Sequence, residues 1–210
     1  MTNPVIDNIR RSLKRNAQTP LALRPAIYQP RQPDPVDSEI ELFLSEIKKL
    51  SGVGERISTV GIGAALQALV SHQKVRKATV WETSLLKKLD IADCLHSLGV
   101  ELISPHASKN EMALCDLGIT EADFLLPETG TLVLRSSAEK PRAVSLLPRN
   151  HLAIVRPEMV RGDMHQVFAE AKDSHYLVFI TGPSRTADIE LTVTLGVHGP
   201  KDLYVWMMDS

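Results

Sequence analysis

Apolar positions change their spacing several times along the chain, and each change marks an expected element. Val5, Ile6, Ile9 and Leu13 recur at helical spacing among Arg10, Arg11, Lys14 and Arg15, which predicts a short basic amphipathic helix within residues 1–17. From Thr19 to Pro35 the run TPLALRPAIYQPRQPDP carries five of the 13 prolines. Each lacks the N–H that a helix or central strand needs, so this stretch reads as an extended arm. Helical spacing resumes in SEIELFLSEIKKL, with Ile40, Leu44 and Ile47 on one face and the Asp37 carboxylate or Ser38 hydroxyl as the expected cap.

Beyond that helix the periods alternate. ISTVGIG predicts a strand entering a glycine turn, AALQALVSHQ a helix, KATVWE a strand, LLKKLDIADCLHSL a helix and VELIS a strand. EMALCDL reads as a helix that Gly118 terminates. ADFLL and TLVLR flank Pro127-Glu128-Thr129-Gly130 too closely for a crossover helix, so a hairpin or sharp bend is expected and with it a mixed sheet. HLAIV then predicts a strand, PEMVRGDMHQVFAEAK a helix with Pro157 in its first turn, YLVFITG a strand, GPSRTADIE the opening of a helix and DLYVWMMD the last strand. The expected fold is α/β, a three-layer α/β/α domain with a mostly parallel mixed sheet over residues 37–210, preceded by a helical and proline-rich arm over residues 1–36.

Composition narrows the function classes. A chain of 210 residues holds one such domain plus an appendage. Its 24 basic and 25 acidic residues leave no electrostatic footprint for a nucleic-acid binder. Apolar runs of a handful of residues fall far short of the roughly 20 that span a bilayer. MTNPVIDNIRRSLKRN has no apolar core, so no secretory signal is expected and a cytoplasmic setting is the simplest one. Cys94 and Cys115, the only cysteines, cannot by themselves supply a disulfide scaffold or four thiolates for a metal or iron–sulfur centre. Both lie in expected helices and read as small buried apolar residues, and the other histidines show no metal-ligand spacing. No metal and no cofactor are expected in this chain.

Four stretches are more specific than a core requires. Gly61 and Gly63 stand between a strand and a helix, where bare backbone and a helix N-terminus suit an anion, although Leu66 replaces the third glycine of a dinucleotide fingerprint. A tight turn explains the same residues. In Leu126-Pro127-Glu128-Thr129-Gly130-Thr131, Glu128 sits at a turn between two strands as a candidate nucleophile or base, unless it and Thr129 merely satisfy turn N–H groups. In the run from Ile180 to Glu190, Ser184 or Thr186 is a candidate cap, and Arg185 offers a planar fork for a carboxylate or phosphate, with Asp188 as a competing partner. His198, in Gly196-Val197-His198-Gly199-Pro200, is a candidate proton carrier or an ordinary turn residue.

Three separated runs, GITEADFLLPETGTLVLR, SLLPRNHLAIV and ITGPSRTADIELTVTLGVHGPKDLYV, occur in an order that resembles the LUD-domain family, in particular its lactate-utilisation protein C (LutC, YkgG-like) branch. The resemblance covers most of the chain from Gly118 onward. It implies a NagB/RpiA/CoA transferase-like fold and membership in an iron–sulfur-dependent system that oxidises L-lactate to pyruvate. The family's electron-transfer member carries cysteine-rich ferredoxin-like motifs that this sequence lacks, so the chain resembles the clusterless subunit, partnered by iron–sulfur subunits. A small carboxylate or phosphate ligand is expected in a crevice walled by Gly61, Gly63, Thr129, Gly130, Thr131, Ser184, Arg185, Thr186, Asp188 and His198. The competing readings are a stand-alone acyl/CoA-transferase-like or sugar-phosphate enzyme using Glu128, and a purely structural scaffold. A homo-oligomer is open under each.

Overall fold

The computed structural model describes residues 4–14, 31–174, 176–187, 193–195 and 199–209. Helix α1 (Pro4–Ser12) follows the expected spacing but buries no side chain, leaving Ile6, Ile9 and Leu13 45%, 52% and 59% exposed. Helix α2 (Val36–Lys49) buries Ile40, Leu44 and Ile47, the stripe its spacing predicts, and Glu39 and Phe43 beside it. Its expected side-chain cap is absent. Pro35 takes the cap position with no side-chain bond, and the Asp37 carboxylate instead meets Arg56 Nη2 at 3.3 Å.

The chain continues through β1 (Val53–Ile57), a 3-10 turn at Thr59–Gly61, α3 (Ile62–Gln73), β2 (Lys77–Val80), α4 (Ser84–Lys88), α5 (Ile91–Ser97), β3 (Glu101–Ile103), α6 (Lys109–Ala113) and β4 (Leu117–Glu121). Next come β5 (Phe124–Leu126), a 3-10 turn at Pro127–Thr129, β6 (Thr131–Arg135), α7 (Ala143–Leu146), β7 (Asn150–Val155) and a 3-10 turn at Pro157–Met159. Helix α8 (Met164–Glu170) precedes β8 (Leu177–Ile180), β9 (Arg185–Ala187), β10 (Val193–Leu195) and β11 (Asp202–Met208). Among the described residues no helix is long and apolar enough to cross a membrane.

Six strands form one parallel sheet in the order β1-β11-β7-β4-β2-β3. The antiparallel pairings are gathered in two small sheets, β5-β6-β8 and β9-β10. Register fixes the layers, because partners in adjacent parallel strands project to the same face. Gly54, Val205, Ala153 and Thr120 stand in register. Gly54 lies beneath Leu44 of α2, and Gly118, two residues before Thr120, lies beneath Val144 of α7. The alternate set includes Tyr204, whose hydroxyl accepts from Gln73 Nε2 of α3. Thus α2 and α7 cover one face and α3 the other. The β5-β6-β8 sheet joins the α2 layer: Leu125, Leu132 and Leu134 enter the main core, while Phe124, Leu126 and Val133 pack with Val167 and Ala171 in a smaller one.

Five expected elements are corrected, the first being the strand expected over ISTV, which ends at Ile57 and gives way to the 3-10 turn at Thr59–Gly61. Gly118 does not end a helix; it is inside β4, and a Cβ there would come within 2.0 Å of the Val144 carbonyl oxygen, so its role is to admit α7. The helix expected over LLKKLDIADCLHSL divides at Asp90, whose φ is +51°. The helix expected from Pro157 is a single 3-10 turn followed by extended Val160, and α8 starts afresh with Asp163 Oδ1 accepting from Gln166 N at 3.0 Å. Gly162 separates the two because a Cβ there would lie 2.9 Å from the Arg31 carbonyl. Finally, GPSRTADIE opens strand β9 rather than a helix. From Thr186 to Leu195 polar and apolar residues alternate strictly, the period of a strand.

Candidate functional site

The run LPETGT forms the tip of the β5-β6 hairpin. Gly130 adopts φ +58°, and a Cβ there would lie 2.9 Å from both Glu46 Cβ and Ile47 N, so the tip presses directly on α2. Thr129 Oγ1 and Thr131 Oγ1 are 2.7 Å apart, and Thr131 Oγ1 is 2.8 Å from Thr181 Oγ1. Three hydroxyls therefore form one chain beside a cavity of about 550 Å³ that Glu128, Asp163, His165 and Phe179 also line. Glu128 is exposed and pairs with Arg31 Nε at 3.1 Å. Arg31 closes this rim from the end of the arm. Its guanidinium grips buried Glu39 twice, at 2.8 and 3.0 Å, and its N–H donates to Asp163 Oδ2 at 3.1 Å. The N–H groups of Gln166, first, and Arg31 hold the Asp163 carboxyl below its ordinary range.

The second motif meets the first on the same helix. Gly182, at φ +87°, comes against Leu50, and Arg185 Nη2 donates to the Leu50 carbonyl and, at 2.9 Å, to Ser51 Oγ. The guanidinium thereby caps the negative end of α2. Ser184 N donates to Pro200 O at 2.9 Å, just ahead of β11. Thr186 lies in β9, and Asp188 and His198 lie outside the described residues. The glycine turn stands apart. Helix α2 runs antiparallel to β1: Gly52 lies against Ile47 and Leu203 O at the strand's start, while Arg56 near its end pairs with Asp37 and Glu41. Arg185 thus works at the amino edge of the parallel sheet. Gly61 and Gly63 follow the carboxyl end of β1, Gly61 donating to Ser58 Oγ at 3.2 Å and Gly63 facing open space.

The carboxyl edge holds a second crevice that motif reading missed. From β2 the chain steps outward to β3, whereas from β4 it steps the other way to β7, so the topological switch point falls between β2 and β4, where open α/β sheets gather ligands. A cavity of about 480 Å³ lies there, walled by Glu82, Lys88, Glu121, Glu139, Lys140 and Arg156. Glu121 ends β4, and Arg156 directly follows β7. The loop bearing Lys140 is fixed over β2 by Trp81 Nε1 donating to Pro141 O at 3.0 Å and by Lys140 pairing with Asp123 at 3.0 Å. The available signal was a charged residue closing an apolar strand, LGIT-Glu121 and HLAIV-Arg156.

A model of the LUD domain matches residues 40–208. The chain belongs to the LUD-domain family. Within it, the sequence falls in the lactate utilization protein C (LutC, YkgG-like) branch. Lactate utilization protein C of Shouchella clausii is 27% identical across 98% of this chain and 96% of its own length. The protein of that name from Halalkalibacterium halodurans is 34% identical across 65% of this chain and 64% of its own length. That of Geobacillus kaustophilus is 42% identical across 45% and 43%. Among solved structures, a DUF162 family protein of Deinococcus radiodurans aligns with a TM-score of 0.62 at 18% identity, covering 84% of this chain and all of that one. That likeness extends to the fold.

Two buried groups of this LUD domain bear on its chemistry. His151, in β7, is fully enclosed, and burial pushes its imidazole down to about 3; Nε2 lies 2.8 Å from Thr120 Oγ1 and Nδ1 has no partner among the described residues. It is a neutral core residue at ordinary pH. Burial, aided by the Asp116 charge, pushes the Cys115 thiol up to about 11, which keeps it protonated and unreactive. Among the described residues no group of three or more His, Cys, Asp or Glu side chains is placed to hold a metal.

Proposed function

We propose that this LUD-domain chain is the non-redox subunit of an iron–sulfur-dependent system that oxidises L-lactate. The observation that carries the reading is the LUD match over residues 40–208 together with relatives named for lactate utilization. Thiol chemistry supports the division of labour. A cluster of the common type takes four thiolates, whereas this sequence has two cysteines, one of them with its thiol pushed up to about 11. Electrons then pass through partner chains in the cytoplasm. The fold is read as NagB/RpiA/CoA transferase-like. The contribution of this chain is a small-anion site, for which the Thr129–Thr131 tip offers hydroxyls and backbone at the 550 Å³ cavity; Ser184, Arg185 and Thr186, and Asp188 and His198 outside the described residues, are the further candidates. Gly61 and Gly63 serve the opposite edge.

Deleting the gene and restoring it tests the reading. Growth on L-lactate should disappear with the deletion and return with the wild-type gene, and affinity purification from lactate-grown cells should recover iron–sulfur proteins. Unimpaired growth on L-lactate together with purification of this chain alone would overturn it. A second reading has one observation in its favour: Glu128, exposed at the rim of that cavity, is held by Arg31 at 3.1 Å. There the chain is an acyl- or phosphosugar-converting enzyme with Glu128 as nucleophile or base. Turnover of thioesters or sugar phosphates by the pure protein, abolished in Glu128→Gln, would favour it over the subunit reading.

A further inference from the structure

The geometry points to the switch-point crevice between β2 and β4 as a binding site for a small 2-hydroxy carboxylate, with Arg156 holding the carboxylate and Glu121 accepting the hydroxyl. Two unsatisfied groups carry this inference. Glu121 is only 7% exposed, and among the described residues its carboxylate, which opens on the crevice, makes no hydrogen bond or ion pair. A carboxylate in so narrow an opening gains from a hydrogen-bond donor, and the crevice is where that donor would enter. Arg156 keeps Nε–H buried with no acceptor among the described residues, although its Nη1 pairs with Glu158 at 2.6 Å.

Register brings the two together. Glu121 stands opposite Ile154, and Arg156 lies two residues further along the same extended backbone, so both leave the same face of adjacent strands. One donor and one acceptor at neighbouring strand ends match a carboxylate with a donor on the next carbon. The remaining charges do not compete for that role. Lys140 is held by Asp123, and Lys88, Glu82 and Glu139 lie exposed at the rim. The adjoining crevice of about 310 Å³ shares Glu121 and Arg156, but its other cations are consumed, Arg135 by Asp123 at 3.1 Å and Arg161 by Glu170 at 2.7 and 2.8 Å. The volume of the switch-point cavity falls within the roughly 300–1,000 Å³ of small-molecule sites.

The site follows from the crevice alone; the choice of a 2-hydroxy over a 2-amino acid rests on the lactate reading above. Calorimetric titration of the full chain with L-lactate, L-alanine, pyruvate and sodium acetate separates the two. The expected result is saturable binding of L-lactate, about tenfold weaker binding of pyruvate and acetate, which lack the donor, and about tenfold loss of L-lactate affinity in Glu121→Gln at unchanged melting temperature. Arg156→Gln should weaken every carboxylate, with partial rescue in Arg156→Lys. Should the Arg156 variants unfold, the near-isosteric Glu121→Gln still decides. Binding of L-alanine alone would overturn the 2-hydroxy assignment and leave the crevice as an amino-acid site. No saturable binding up to roughly 50 mM, far above a ~1 mM Kd, or equal binding by wild type and Glu121→Gln, would overturn the site itself. Neither result bears on the growth and purification tests, which judge the lactate reading separately.

Discussion

His151 makes the stability of this fold depend on pH in a calculable way. Its imidazole is pushed down to about 3 by burial, against an ordinary value of about 6.5 in an unfolded chain. The unfolded state therefore binds a proton below pH 6.5 that the folded state refuses until about pH 3. The contribution is complete above pH 6.5 and is lost as pH falls, at about 1.4 kcal/mol per pH unit. At pH 5 the loss is about 2 kcal/mol, a figure that depends only on the unfolded value because the folded one lies well below pH 5. Urea unfolding followed by the fluorescence of buried Trp81 and Trp206 measures it. The useful quantity is the difference between wild type and His151→Gln, in which the contributions of other titrating groups cancel. That difference should shrink by about 2 kcal/mol between pH 7.5 and pH 5. Thr120→Val serves as a second arm: it strands His151 Nε2, costs about 1–3 kcal/mol and leaves the pH slope intact. Parallel pH profiles for wild type and His151→Gln would refute the enclosed, neutral histidine.

Three further outcomes follow from the packing. Gly118→Ala sets a methyl group 2.0 Å from a backbone oxygen of α7 and should cost roughly 3 kcal/mol or more, read as a fall in the urea midpoint; an unchanged midpoint would contradict the placement of α7. Native protein should react rapidly with a thiol reagent such as DTNB at no more than one site, Cys94, and at two in denaturant, since the Cys115 thiol is buried and pushed up to about 11. Arg185→Ala removes the cap on α2 and should lower stability by about 1 kcal/mol; if the folded variant also supports full growth on L-lactate, a ligand role for Arg185 is excluded.

Local signals reached the layers of this fold better than the ends of its elements. The core stripe of α2, the closing strand DLYVWMMD and the PETG hairpin were all legible, because apolar period and turn chemistry act over a few residues. Where tertiary contact decides, sequence reading failed. Gly118 looks like a helix stop, yet its reason is a helix lying across a strand, a contact with residues some two dozen positions later. GPSRTADIE contains good caps, but the alternation running on from Thr186 carries the stronger signal, and weighing the whole window would have found the strand. The strand order was beyond local reading altogether: β11 inserts between β1 and β7, and pairing of the first strand with the last leaves no trace in local spacing.

That difference separates the two kinds of candidate residue. The conspicuous motifs are rich in glycine, proline and threonine, the residues that backbone constraints select. Gly130 and Gly182 meet such constraints without any ligand, because both need positive φ and both press on α2. Glu121 and Arg156 are charges at the ends of apolar strands; Arg156 also caps the 3-10 turn at Pro157–Met159, whereas Glu121 gains no bond among the described residues. Substitution therefore discriminates between them. Gly130→Ala should lower stability by about 1–3 kcal/mol through strain and overpacking, whereas Glu121→Gln removes a charge that makes no bond within the fold and should leave the melting temperature unchanged while weakening the ligand. A residue whose loss weakens the ligand and leaves the fold untouched is held there by something other than folding, and the carboxyl edge of this sheet is where that residue stands.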